Sequence, residues 1–109
     1  MTEHVVIVGG GTGGSVLAND LAERLDAEID AGDVRVTLVN DGPEQVYKPV
    51  WLYVPFGQRE PEDGRRRLDE LVDDAVDLRI DRVTDIDTEN KRLRFRGGAP
   101  SASYDYLVL

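Results

Sequence analysis

The spacing of apolar residues changes several times along the chain, and each change marks an element. His4-Val5-Val6-Ile7-Val8 is a β-branched run that stops at glycine. Runs of this kind belong to strands covered on both faces, so it reads as a central parallel strand. Beyond the glycines, Leu17, Leu21 and Leu25 recur at i, i+4 and i+8 with the small Ala18 and Ala22 beside them, which predicts a helix from about Gly13 to Ala27. Val34-Arg35-Val36-Thr37-Leu38-Val39 is a second strand, closed by the turn residues Asn40-Asp41-Gly42-Pro43. Strand, helix and strand in this order make a βαβ unit with a right-handed crossover and hence a parallel sheet.

The second half of the chain is less regular. Tyr47, Trp51, Tyr53 and Phe56 crowd between Glu44 and Gly57 with Pro49 and Pro55, a segment that either packs on a core or lines a ligand. Leu68, Leu71, Val72 and Ala75 follow i, i+3, i+4, i+7 and predict an amphipathic helix starting after Pro61. Leu78 and Ile80, then Val83 and Ile86, then Leu93 and Phe95 alternate with polar residues. Asp87-Thr88-Glu89-Asn90 and Gly97-Gly98-Ala99-Pro100 supply turns between them. The expectation is a short parallel strand followed by a β-meander. Tyr104 to Leu109 is apolar and stops without a turn or polar tail, as a chain cut inside a strand would.

Length and composition narrow the possibilities. A chain of 109 residues accommodates one domain and leaves no room for a separate substrate domain beside a nucleotide domain. With 40% hydrophobic and 32% charged residues it has the composition of a folded, soluble α/β domain. The absence of cysteine excludes a disulfide framework, a thiolate metal site or a Cys-based redox pair within these residues. The net charge of −9 repels nucleic acid and anionic lipid alike. Asp outnumbers Glu and the only lysines are Lys48 and Lys91, a usage that resembles that of salt-loving archaea. Neither a membrane-length apolar run nor a signal-peptide pattern is present, and the chain reads as cytoplasmic.

The chemistry is concentrated in Gly9-Gly10-Gly11-Thr12-Gly13-Gly14. This run fits GxGxxG at Gly9, Gly11 and Gly14, directly after a strand and opening a helix. Gly9 permits the tight turn, Gly11 lets the backbone approach a pyrophosphate, and Gly14 allows the helix to pack closely on the strand. The helix N-terminus then offers unbonded N–H groups and a partial positive charge to the phosphates. A Walker A loop is excluded because Gly14-Ser15-Val16 stands where GK[ST] is required. Gly9 to Gly13 also resembles the tubulin-type GTP loop, which is embedded in a longer nucleotide domain.

At the end of the second strand, where an acid ordinarily binds the adenosine ribose, the sequence has Asn40 followed by Asp41. Asn40 is able to hydrogen-bond a ribose hydroxyl without charge, Asp41 is able to supply the contact instead, and both are also ordinary turn formers. The lack of an arginine directly after the strand argues against a 2′-phosphate, and so against NADP.

These residues resemble the flavoprotein disulfide reductase-like enzymes, and within them the sulfide:quinone oxidoreductases and type II NADH dehydrogenases. His4 to Gly14 is similar to their first FAD-binding strand and loop, and Val36-Thr37-Leu38-Val39-Asn40-Asp41 to their second strand. Tyr47-Lys48-Pro49 running to Gly57 has the spacing of their aromatic-proline segment, and Asp105-Tyr106-Leu107-Val108-Leu109 resembles their DYLVIATG strand, stopped before Ala-Thr-Gly. The meander from Val83 to Phe95 favours FAD independently, since a plain NAD domain would continue with βα units.

The resemblance implies an α/β, FAD/NAD(P)-binding Rossmann-like parallel sheet with a β-meander, truncated, spanning residues 1–109 as the N-terminal FAD-binding segment of a larger flavoprotein. It places the FAD pyrophosphate on Gly9, Gly10, Gly11, Thr12, Gly13 and Gly14, and the ribose near Asn40 and Asp41. Lys48 falls near the flavin or diphosphate, against the ordinary reading of a solvated lysine. The backbone of Arg82-Val83 meets the adenine, against the ordinary reading of a core valine. Quinone and a membrane surface are implied as partners only through parts outside this chain, and a homo-oligomer through the last strand is a further expectation. Catalytic and metal-ligating residues are not identifiable here: His4 is the only histidine, and Arg65-Arg66-Arg67 beside Asp63, Asp69 and Glu70 reads as a solvated helix face. An NAD-binding domain of another dehydrogenase and a non-enzymatic nucleotide-sensing module are the alternatives.

Overall fold

The computed structural model describes residues 2–46, 65–96 and 101–109. Its centre is a four-stranded sheet in the order β5-β2-β1-β9, built from β1 (Glu3–Val8), β2 (Val34–Asn40), β5 (Asp77–Ile80) and β9 (Tyr106–Val108). All neighbouring pairs are parallel, with Val5 opposite Val36 and Ile7 opposite both Leu38 and Val108. The parallel α/β sheet and the meander that the sequence led us to expect are both present.

Strand alternation sends side chains to two different layers. Ile7, Val36 and Leu38 face α1 (Thr12–Arg24), joined there by the buried Ala18, Ala22, Leu68, Val72 and Val76. Val6 and Val39 face the opposite way, onto Leu93, Phe95 and Tyr104. That second layer is a three-stranded antiparallel sheet of β6 (Val83–Asp87), β7 (Arg92–Phe95) and β8 (Ala102–Ser103). Phe95 also takes the Arg79 guanidinium over its ring, 3.6 Å from the centroid.

Within α1 the buried positions are the small ones. Ser15, Ala18 and Ala22 form the contact line, while Leu17 and Leu21 flank it half-buried. The helix stops at Arg24 rather than continuing to Ala27: the N–H of Leu25 closes the last turn on Leu21 O, and α2 (Asp26–Asp30) begins with its own acidic first turn.

The second predicted helix needs a larger correction. Arg65–Arg67 is not a helix face but a strand, β4, paired antiparallel with β3 (Glu44–Val46). Among the described residues of this segment, only Leu68–Leu71 is helical, forming α3. Two side chains account for its end. Asn19 on α1 donates to Leu71 O and accepts from the Asp73 N–H at 2.9 and 2.8 Å, and Asp73 caps a turn by accepting from the Ala75 N–H. Val72 is extended, yet Leu68, Val72 and Val76 still reach the core. Of the predicted apolar stripe, Leu68 and Val72 are buried and Ala75 is half-buried, but Leu71 is exposed and Val76 takes a core place instead, because the helix stops before Val72.

His4 joins the layers on the meander side. Its Nδ1 lies 2.7 Å from Ser103 O and its Nε2 2.7 Å from Thr37 Oγ1. A carbonyl only accepts, so Nδ1 carries the proton and Nε2 accepts from the threonine hydroxyl. Burial holds the imidazole below its ordinary pKa, with Arg35 acting in the same sense and the Ser103 carbonyl, Asp77 and Asp105 opposing. The only histidine is thus a structural link.

Candidate dinucleotide-binding site

The loop leaves β1 at the C-terminal edge of the parallel sheet, the place where open α/β sheets bind ligands. The Gly9 N–H bonds Val39 O at 2.7 Å and its φ is +109°, a conformation that side chains strongly disfavour. Gly14 is fixed by contact: a Cβ there would stand 1.9 Å from Gly9 O, so only glycine lets the first turn of α1 lie against the end of β1. Gly11 and Gly13 face open space.

Gly11 is the N-cap of α1, with no side-chain cap, and the first helical bond returns from Ser15 N–H to Gly11 O at 3.0 Å. The amides before it have no intrahelical partner, which leaves a row of donors at the positive end of a 13-residue helix. Ser15 Oγ adds a bond to Gly10 O at 3.2 Å. The buried Gly10 is covered by Leu68, whose Cδ1 would lie 2.7 Å from a Cβ.

Beside the loop lies a groove of about 250 Å³ bounded by Val8, Gly9, Val39, Asn40, Asp41, Asp81, Arg82 and Val83. It gathers Gly9 with Asn40, Asp41 and Val83, residues that lie far apart in the sequence. Asp41 is exposed on its rim. Val83 is half-buried, packs against the meander core and also lines the groove. The Arg82 N–H bonds Asp81 Oδ1 and its carbonyl accepts from the Arg96 N–H, so these Arg82 backbone groups are engaged within the fold.

Asn40 is placed differently from a free ribose ligand: its carboxamide accepts from the Gly10 N–H at 2.9 Å and donates to Gly42 O at 2.7 Å. Lys48 and the Tyr47–Gly57 aromatic segment lie outside the described residues, as does the Gly97–Pro100 turn. Sequence reasoning missed Ser15, Leu68 and Asp81, because a backbone-directed hydroxyl, a covering leucine and a residue just past a short strand carry no motif.

A parallel sheet with a glycine loop opening its first helix, backed by an antiparallel meander, defines a dinucleotide-binding domain of the FAD type. The chain belongs to the pyridine nucleotide-disulphide oxidoreductase family, whose family model matches residues 3–109. It is 28% identical to the mitochondrial sulfide:quinone oxidoreductase of Mus musculus over 97% of this chain and 22% of that protein. It is also 28% identical to the sulfide-quinone reductase of Aquifex aeolicus, over 100% of this chain and 24% of the relative. The X-ray structure of the Aquifex aeolicus sulfide:quinone oxidoreductase superposes with a TM-score of 0.78 at 25% identity, covering 97% of this chain and 23% of that one. The structure of NDH2 from Plasmodium falciparum shares the fold, with a TM-score of 0.72 at 20% identity over 98% of this chain and 21% of that one. The chain thus spans about a quarter of the length of the curated relatives it matches.

Proposed function

We propose that this chain anchors the AMP and pyrophosphate half of FAD in a sulfide:quinone-reductase-like flavin oxidoreductase. The observation that carries the reading is the α1 N-terminus opening, through Gly11 and Gly13, onto the space beside a groove lined by Asp41 and Val83. A flat, bulky adenosine and a doubly charged diphosphate fit these two neighbouring environments, one concave and the other rich in N–H donors.

Gly11 to Gly14 would hold the pyrophosphate through main-chain amides, since the Gly9 and Gly10 N–H groups are taken by Val39 O and Asn40 Oδ1, and Gly14 would keep α1 close enough to aim them. Asp41, exposed on the groove, would take the ribose, and Val83, which lines the same groove, would meet the adenine through its backbone. Bound there, FAD supplies two-electron redox chemistry at its isoalloxazine ring. These residues bind and orient, and none of them is assigned a proton transfer. The relatives' names support sulfide as electron donor and quinone as acceptor.

The test uses the full-length protein. Purified without added flavin, it is expected to be yellow and to release FAD on denaturation, with sulfide bleaching the absorbance anaerobically and a short-chain quinone restoring it. NADH acting in place of sulfide would move the reading to the NDH2-like side. A micromolar NAD site with no flavin binding would contradict it.

A further inference from the structure

The strand-end residue is the one position where this chain departs from the expected acid, and its surroundings give the departure a use. Asn40 closes β2 opposite Ile80, and its carbonyl accepts from the Asp81 N–H at 2.8 Å. Its side chain turns toward the loop: Oδ1 takes the Gly10 N–H at 2.9 Å, and Nδ2 gives a hydrogen to Gly42 O at 2.7 Å. A Cβ on Gly10 would come within 3.0 Å of Asn40 Cγ, so the carboxamide lies flush against the loop backbone.

One acceptor and one donor are needed at once, to two backbone groups of opposite polarity. A carboxamide supplies both. A carboxylate supplies only acceptors, and would set an anionic oxygen against the Gly42 carbonyl.

We propose that Asn40 is a positioning residue: its carboxamide ties the pyrophosphate loop at Gly10 to the turn at Gly42 and so presets the loop, instead of contacting the ribose. This rests on the FAD reading above. The two roles make opposite predictions for one substitution. If Asn40 faced a ribose hydroxyl, Asn40→Asp would provide a stronger, charged acceptor and tighten FAD binding. As a positioning residue, Asn40→Asp loses the bond to Gly42 and loosens the loop, weakening FAD binding about tenfold at pH 7.5.

Acid separates the roles further. When the new carboxyl takes up a proton it regains an O–H donor, so the deficit of Asn40→Asp against wild type should narrow between pH 7.5 and pH 5, whereas that of Asn40→Ala should stay constant. The charged groups lining the groove with position 40 are Asp41, Asp81 and Arg82. The two acids favour the protonated form of a new carboxyl and the arginine opposes it. Burial also lowers the His4 pKa from its ordinary value, so each variant is compared with wild type at the same pH.

The experiment is calorimetric titration of FAD into the full-length apoprotein for wild type, Asn40→Asp and Asn40→Ala across that range. Hydrogen exchange of the Gly9–Gly14 peptide is followed without ligand. The proposal expects weaker FAD binding in both variants, a pH-dependent deficit in Asn40→Asp alone, and faster exchange in the ligand-free Asn40→Ala loop. Tighter binding by Asn40→Asp, or unchanged exchange in Asn40→Ala, would overturn it. Absence of any FAD binding by wild type would strike the cofactor reading instead, and the exchange measurement would still judge Asn40.

Discussion

The two faces of the central sheet are built by different means. On the helix side the contact line of α1 is Ser15, Ala18 and Ala22, and Gly14 meets the end of β1 with no space for a methyl group. On the meander side the gap is filled by Leu93, Phe95 and Tyr104, with His4 supplying a polar tie. Small residues bring a helix close, and a close helix aims its N-terminal amides at the ligand side of the sheet. Large residues hold a covering layer that shapes the groove through Val83. Packing fixes both faces, and on the helix side the same packing also sets where the α1 amides point.

The sharpest way to break this asymmetry is Gly14→Ala. Its Cβ would sit 1.9 Å from Gly9 O, and backbone rather than a flexible side chain must yield. We expect a loss of at least about 3 kcal/mol together with FAD binding, measured by urea denaturation and flavin titration. A stability within error of wild type would show that α1 does not pack as described.

Truncating one core leucine on each face sharpens the comparison. Leu38 and Leu93 are both fully buried, one beneath α1 and one in the meander. Each Leu→Ala change should cost about 2–5 kcal/mol. Both lie on strands flanked on two sides, but Leu38→Ala should fall at the upper end because the four-stranded sheet and the helix packed on it restrain collapse, and Leu93→Ala at the lower end because a three-stranded layer is freer to settle. Equal losses would remove the distinction.

A smaller effect follows from His4. Its folded pKa lies below the ordinary 6.5 because burial disfavours the imidazolium. The folded state therefore binds the proton less well than the unfolded chain, and the neutral ring's contribution is complete above pH 6.5 and lost as pH falls through the folded pKa. Protonation also turns Nε2 into a donor facing Thr37 Oγ1, so acid should loosen the meander before the helix face, whose buried polar residue, Ser15, carries no group that titrates in this range. His4→Gln should flatten this part of the melting-temperature profile against pH. An unchanged slope would assign the dependence to other groups.

Much of this architecture was legible in the residues, for a physical reason. β1 and β2 are β-branched runs closed by glycine or turn residues, and the β6–β7 hairpin alternates around a turn in which Asp87 accepts from Glu89 and Asn90. Local pattern and tertiary burial agree there. They disagree at Arg65 to Ala75, where the apolar spacing fits a helix but Asn19, from a distant part of the chain, takes the backbone groups that a longer helix would have used. At the site, the loop's place between strand and helix could be read from its flanks. The engagement of Asn40 could not, because its partners are the main-chain groups of Gly10 and Gly42, and main-chain groups leave no mark in a sequence.

The central claim, that main-chain amides at the start of α1 receive the FAD pyrophosphate, meets its most direct test at Gly11. The position has φ −71° and open space where a methyl group would stand, and as an N-cap it gains about as much from lower unfolded-state entropy as it loses in capping. Gly11→Ala should therefore leave the melting temperature of the ligand-free protein within about 2 °C of wild type while weakening FAD binding at least about tenfold. Wild-type FAD affinity in a Gly11→Ala protein with an unchanged melt would contradict the account.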